Sequence, residues 1–298
     1  MNERIIIILV LIISFLLLII KISYEIFINE YLFYPSKLYD RVPSMGFEEV
    51  TLPNGVTGWH LHNHPESKTL LYCHGNAGNI SEWTDMLELI HSQKLNVFIF
   101  DYRGFGKSGG APSIKCIRED GEVAYEYLVQ SVLPENLVVW GESMGGVVAL
   151  HIAEKYSVGC LVLAGTFTTP VDLAKAYELT GLLKFIANLI DINNITSIKK
   201  VASKNIPIAI IHSVEDDVIP YNCGVKLFEA IPFYYSCKQF IPITGSHAQP
   251  KMTSEDLYWL FEFCEISTDN CNIADSYLRK ICESGKKLCP FKFNKISE

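Results

Sequence analysis

One serine in this chain stands between two glycines, in the run Val139-Trp140-Gly141-Glu142-Ser143-Met144-Gly145-Gly146. An apolar stretch precedes it and a helix-forming stretch follows. A serine at a sharp strand-to-helix turn is held in a strained backbone with its Oγ exposed. Gly141 and Gly145 carry no Cβ to collide across that turn. A helix beginning at Met144 aims its positive end at the same point. That arrangement suits a nucleophile for acyl transfer. The plain alternative is a Gly-rich turn with a capping serine.

A nucleophilic serine needs a base, an acid behind the base, and donors for the developing oxyanion. Where serine follows a strand in this way, the chain order is serine, acid, histidine. The apolar run Ile206–Ile211 ends in His212-Ser213-Val214-Glu215-Asp216-Asp217-Val218-Ile219-Pro220, and the last apolar run ends in Thr244-Gly245-Ser246-His247. Of the eight histidines, only His247 follows the acidic loop, so it is the base. Glu215, Asp216 and Asp217 remain open as the acid. Neighbours at a strand end point in different directions, so only one of the three reaches His247. One oxyanion donor is the backbone N–H of Met144. The other belongs to the glycine-rich loop Cys73-His74-Gly75-Asn76-Ala77-Gly78-Asn79, where Asn76 is the expected donor.

Elements that hold such loops in place are legible on either side. Short apolar, β-branched runs at Thr69–Cys73, Asn96–Phe100, Leu137–Trp140, Cys160–Ala164, Ile206–Ile211 and Lys238–Ile243 read as buried parallel strands. Helical spacing appears between them, at Ser81–Ser92, Ser113–Gln130, Met144–Tyr156, Asn222–Ala230 and Ser254–Phe263. This alternation predicts an α/β sheet covered on both faces. Phe47–Leu52 and Gly58–Asn63 read as an antiparallel leading hairpin, turned by Pro53-Asn54-Gly55.

The string Tyr72-Cys73-His74-Gly75-Asn76-Ala77-Gly78-Asn79 and the later Asp101-Tyr102-Arg103-Gly104-Phe105-Gly106-Lys107-Ser108-Gly109-Gly110 resemble the BEM46-like branch of the α/β-hydrolase-domain proteins. So do the serine motif, His212 through Pro220, and Phe33-Tyr34-Pro35-Ser36 after an apolar N-terminus. The match runs from about Ile5 to Phe263. The resemblance implies an α/β-hydrolase fold and a serine hydrolase acting on esters or thioesters through an acyl-enzyme. Aligned on His212, it selects Asp216 over Asp217 as the acid. Ser213 departs from the glycine that the family usually carries there. Some members of the resembled group remove fatty-acyl groups from membrane proteins, which suggests lipid or acylated-protein substrates. Two other classes stay open: a non-catalytic binding protein of the same fold, and a peptidase or lactonase using the same triad.

Composition bounds the rest. The chain has 298 residues, 49% of them hydrophobic, and a net charge of -8, which argues against nucleic acid as a partner. No cofactor is required, and no Cys or His spacing suits zinc. Ile5 to Ile20 is apolar but for Ser14. At about 1.5 Å per residue it covers roughly 24 Å, short of a hydrocarbon core of about 30 Å unless flanking residues extend it. Lys21–Pro35 has no Ala or Gly for cleavage, so residues 1–30 are expected to form an uncleaved single-pass anchor, its orientation undetermined.

Residues 31–264 form the expected hydrolase domain, with a helical cap at about 167–204. The cap's apolar stripe over Val171–Ile190 suits packing, or alternatively a wall for an acyl chain. Residues 265–298 are a tail in which Cys271, Cys282 and Cys289 are candidates for a disulfide. Cys73, Cys116 and Cys160 read as small core residues. Asn79-Ile80-Ser81 and Asn194-Ile195-Thr196 are glycosylation sequons.

Overall fold

The computed structural model describes residues 6–8, 10–16, 18–19, 32–232 and 237–265. The strands are β1 (Tyr34–Pro35), β2 (Glu48–Thr51), β3 (Thr57–Leu61), β4 (Thr69–Cys73), β5 (Ala77–Gly78), β6 (Asn96–Phe100), β7 (Leu137–Glu142), β8 (Cys160–Ala164), β9 (Ile208–Ser213), β10 (Lys238–Ser246) and β11 (Gln249–Lys251). Helices within the domain are α1 (Thr84–Ser92), α2 (Ile114–Leu128), α3 (Gly145–Lys155), α4 (Pro170–Ala176), α5 (Gly181–Leu189), α6 (Asn194–Ala202), α7 (Tyr221–Ala230) and α8 (Ser254–Glu265). Nine strands form one sheet in the order β11-β10-β9-β8-β7-β4-β6-β3-β2. From β10 to β6 all neighbours are parallel, and the β2–β3 hairpin and β11 add antiparallel edges.

Alternation along the strands sorts the core into two layers. Leu71, Phe98, Val139, Leu161 and Ile210 face α2, α3, α6 and α7. Leu70, Val97, Val138, Val162 and Ile211 face α1 and α8. Each such side chain contributes about 1.5–3 kcal/mol by leaving water. The connections after β4 and β7 leave on opposite faces of the sheet. Their loops therefore diverge and open a crevice at the carboxyl ends of these strands, where ligands of open α/β sheets bind.

Several boundaries moved. The strand expected at Ile206–Ile211 begins later and continues to Ser213, and β7 continues to Glu142. The expected stripe over Val171–Ile190 falls on two helices, α4 and α5. They are broken by Glu178 and Gly181, with φ of +54° and +57°. Nor does the stripe pack as expected, since Leu179, Leu183, Phe185 and Leu189 are exposed. Helix α6 was not anticipated; the Asn193 side chain caps it by accepting from the Thr196 N–H at 2.9 Å.

Ile6–Ile8, Val10–Leu16 and Leu18–Ile19 are helical, with large apolar side chains exposed. No helix among the described residues is long and apolar enough to cross a membrane. Ile5, Ile20 and the linker to Leu32 lie outside the described residues, as do Cys271, Cys282 and Cys289.

Cys73 and Cys160 are buried as expected, whereas Cys116 is only partly so. Cys160 and Cys264 bring their sulfurs to 2.7 Å, joining β8 to α8, and Cys237 is disulfide-bonded. Both sequon asparagines are buried and used internally. Asn79 Nδ2 donates to the Ser36 and Leu38 carbonyls, and Asn194 Nδ2 donates to the Phe167 carbonyl at 2.8 Å. A glycan on either is incompatible with this packing.

Candidate active site

Ser143 follows the last residue of β7 and has φ of +53°, a conformation that a residue with a side chain adopts at a cost of about 1–3 kcal/mol. Three hydrogen bonds hold it there. Its N–H donates to the Ala164 carbonyl at 2.9 Å. Its own carbonyl accepts from the Gly146 N–H at 3.1 Å and from Thr166 Oγ1 at 2.7 Å. The turn is so tight that a Cβ on Gly145 would stand 1.9 Å from the Cys73 carbonyl oxygen at the end of β4. Gly145→Ala should therefore cost at least the ~1–3 kcal/mol of ordinary overpacking. The check is a thermal unfolding midpoint lowered by several degrees, or loss of soluble protein.

The other two predicted residues meet Ser143. His247 follows β10, and its Nε2 lies 3.0 Å from Ser143 Oγ. Its Nδ1 lies 2.8 Å from Asp216 Oδ2. Asp216 sits in the turn after β9, and its Oδ1 accepts the N–H groups of Val218 at 2.9 Å and Ile219 at 2.6 Å. Of the three adjacent acids, Asp216 is thus the one facing the imidazole. The others brace the same turn: Asp217 accepts the His247 N–H at 2.9 Å, and Glu215 accepts the Gly245 N–H at 2.7 Å. Ser213 Oγ also reaches across, donating to the Gly245 carbonyl. The departure at Ser213 therefore adds a tie between the acid loop and the base loop.

Burial opposes charge on His247, but the hydrogen bond to Asp216 and the charges of Asp216, Glu142 and Asp217 outweigh it and hold the imidazole above its ordinary value. Burial likewise opposes charge on Asp216. The His247 hydrogen bond and the two loop N–H groups overcome this and keep its carboxyl below the usual range. Asp216 is thus held as a carboxylate against Nδ1, while Nε2 faces Ser143 Oγ.

The loop that carries Asn76 approaches the serine at Gly75. A methyl on Gly75 would lie 3.6 Å from Ser143 Cβ. The Asn76 side chain donates to the Leu32 carbonyl at 2.7 Å, and the Asn76 carbonyl accepts from the Tyr34 N–H at 2.8 Å. The loop is thereby tied to the parallel pair β1–β5. Met144 stands at the N-terminus of α3, and its side chain makes no capping bond.

Three neighbours escaped sequence reasoning. Glu142 is half-buried beside the serine and accepts from Tyr72 Oη and, at 3.1 Å, from Trp83 Nε1; desolvation pushes its carboxyl up, partly offset by these donors. Its signal was a carboxylate between an apolar strand and a glycine-rich turn. His74 is wholly buried against Trp83, Tyr102 and Phe105, and burial pushes it down to about 3. Thr166 had no signal, because its partner is the Ser143 carbonyl.

A cleft opens between α1 and the His247 loop, lined by Met86, Trp140, Ile211, Ile243 and Met252, with Glu142, Asp216 and His247 at its wall. None of its lining comes from 167–204. Among the described residues no group of three or more His, Cys, Asp or Glu is placed to hold a metal.

This is the sheet order of α/β hydrolases. The sequence pattern of the α/β hydrolase fold matches residues 68–190. The uncharacterized protein YfhR of Salmonella typhi is 31% identical over 245 residues, covering 74% of this chain and 80% of that protein. Protein bem46 of Schizosaccharomyces pombe is 31% identical over 199 residues, 64% of each chain. Among solved structures, the Pyrococcus furiosus esterase Pf2001 superposes with a TM-score of 0.57 at 18% identity, covering 83% of this chain and 98% of its own, which shows a shared fold. The chain belongs to the α/β-hydrolase-domain family, in the branch that holds bem46.

Proposed function

We propose that the chain is a serine hydrolase cleaving esters or thioesters through an acyl-enzyme, held at a membrane by its apolar N-terminus. The observation that carries this reading is the continuous chain of contacts from Ser143 Oγ through His247 to Asp216. His247 Nε2 takes the Ser143 proton as Oγ attacks the carbonyl carbon, and Asp216 steadies the resulting imidazolium. The backbone N–H groups of Met144 and Asn76 hold the oxyanion; losing one such donor typically costs about 10²–10³ in rate. The imidazolium then protonates the departing alcohol or thiol. Water, deprotonated by His247, releases the acid and restores the serine.

The apolar run before Leu32 supports an anchor, and lipid or acylated-protein substrates fit an enzyme held there. The reading is tested by a fluorophosphonate probe followed by peptide mapping. The expected adduct is on Ser143; modification of another residue, or none, refutes the assignment.

A pH profile checks the electrostatics. His247 acts as base only when neutral, so raising its pKa confines activity to higher pH. The acidic limb of kcat/KM should lie above the ordinary histidine value. Glu142→Gln removes one of the charges that raise it, so the limb should move to lower pH. An unmoved limb would mean that Glu142 carries a proton in the working enzyme.

A further inference from the structure

Helix α5 is apolar, yet it leaves Leu183, Phe185 and Leu189 at 54%, 60% and 48% exposure. An apolar helix ordinarily turns such residues into a core. The segment before it adds Tyr177 and Leu179, both exposed. Two more exposed apolar side chains, Val214 and Val218, lie on the loop that carries Asp216. Tyr177 Oη donates to the Val218 carbonyl, and the Val218 N–H donates to Asp216. The apolar surface therefore begins at the rim of the triad. Patches of this kind mark interaction sites.

Two independent features say what covers it. The described apolar residues between Ile6 and Ile19 precede a chain that enters the domain at Leu32 and Tyr34, both bonded to Asn76 on the loop beside the serine. The 12 residues between Ile19 and Leu32 reach at most roughly 45 Å. The apolar N-terminus is thus tethered at the site's own end of the sheet. Charge points the same way. The one charged residue of α5 is Lys184, exposed between Leu183 and Phe185. Basic residues beside exposed apolar ones favour anionic lipid surfaces.

We propose that α5 and its flanks dock on an anionic lipid bilayer and press the mouth of the active site against it. This rests on the proposed membrane tether but not on the chemistry at Ser143. The test is hydrogen–deuterium exchange of the full chain in three settings: phosphatidylcholine–phosphatidylserine vesicles, phosphatidylcholine vesicles, and an amphipathic polymer without lipid.

The expected result is exchange slowed roughly five-fold or more over 177–190 in anionic vesicles relative to polymer, with weaker slowing on phosphatidylcholine alone. Leu183→Asp/Phe185→Asp/Leu189→Asp should abolish the slowing and leave fluorophosphonate labelling intact. Equal exchange in all settings overturns the proposal. So does equal slowing on both lipids, equal protection in polymer (the chain's own apolar segment covers α5), or protection that grows with protein concentration without lipid (a second copy covers it). Failure of labelling in the wild-type chain would instead count against the hydrolase reading and leave the exchange result standing.

Discussion

Ser143→Ala should lower ester turnover by about 10⁵–10⁶ while leaving the fold intact. Removing the nucleophile of a serine triad costs about as much as removing the whole triad, because its members act as a unit. The variant still has the turn, the oxyanion donors and the cleft, so a residual rate above water is expected. Alanine faces the same φ of +53° that serine tolerates, and the bonds holding the turn come from backbone atoms and Thr166. The side chain's contribution is the 3.0 Å contact with His247. The unfolding midpoint should therefore stay within a few degrees of the parent. Turnover and midpoint measured on one preparation check both halves. Unchanged turnover would remove Ser143 from the mechanism.

Asp216→Asn should cost about 10⁴ in kcat, the loss that follows when a triad histidine is left in the wrong tautomer. The reason here is specific to the loop. Asp216 Oδ1 accepts two backbone N–H groups, from Val218 and Ile219, and only an oxygen can stay there. The amide nitrogen of asparagine must then face His247 Nδ1, at the position Oδ2 holds 2.8 Å away. Nδ1 becomes the acceptor and the ring proton moves to Nε2, where it points at Ser143 and blocks proton uptake. Near-parental secondary structure together with that loss of turnover would bear this out. A loss below ten-fold would mean that another carboxylate orients the ring.

Much of the candidate site was legible because the chemistry proposed for it imposes local rules. The serine turn needs glycines on both sides, and the order of acid and base follows from the order of the strands. Thr69–Cys73, Asn96–Phe100 and Cys160–Ala164 read correctly because buried parallel strands are short and apolar. The choice among Glu215, Asp216 and Asp217 was not legible from spacing. It depends on which carboxylate the loop N–H groups turn toward the imidazole. Glu142 stands within the motif, but its partners Tyr72 and Trp83 are far away in sequence, so the motif alone does not reveal its place. The cap misled for a physical reason. Apolar helical spacing ordinarily signals burial, and α5 carries that spacing while leaving Leu183, Phe185 and Leu189 uncovered.

The bond between Asn76 and the chain's first described loop segment has a practical side. Leu32, Tyr34 and Ser36 are not a spacer between an anchor and an enzyme; they are the outer wall of the loop beside the serine. Buried Phe33 seats that wall against Phe105. A shortened chain meant to be free of the apolar N-terminus must keep everything from Leu32 onward. Trimming a few residues further would loosen the loop and mimic a catalytic defect. By the same connection, a pull on the chain before Leu32 is delivered first to the loop that carries Asn76.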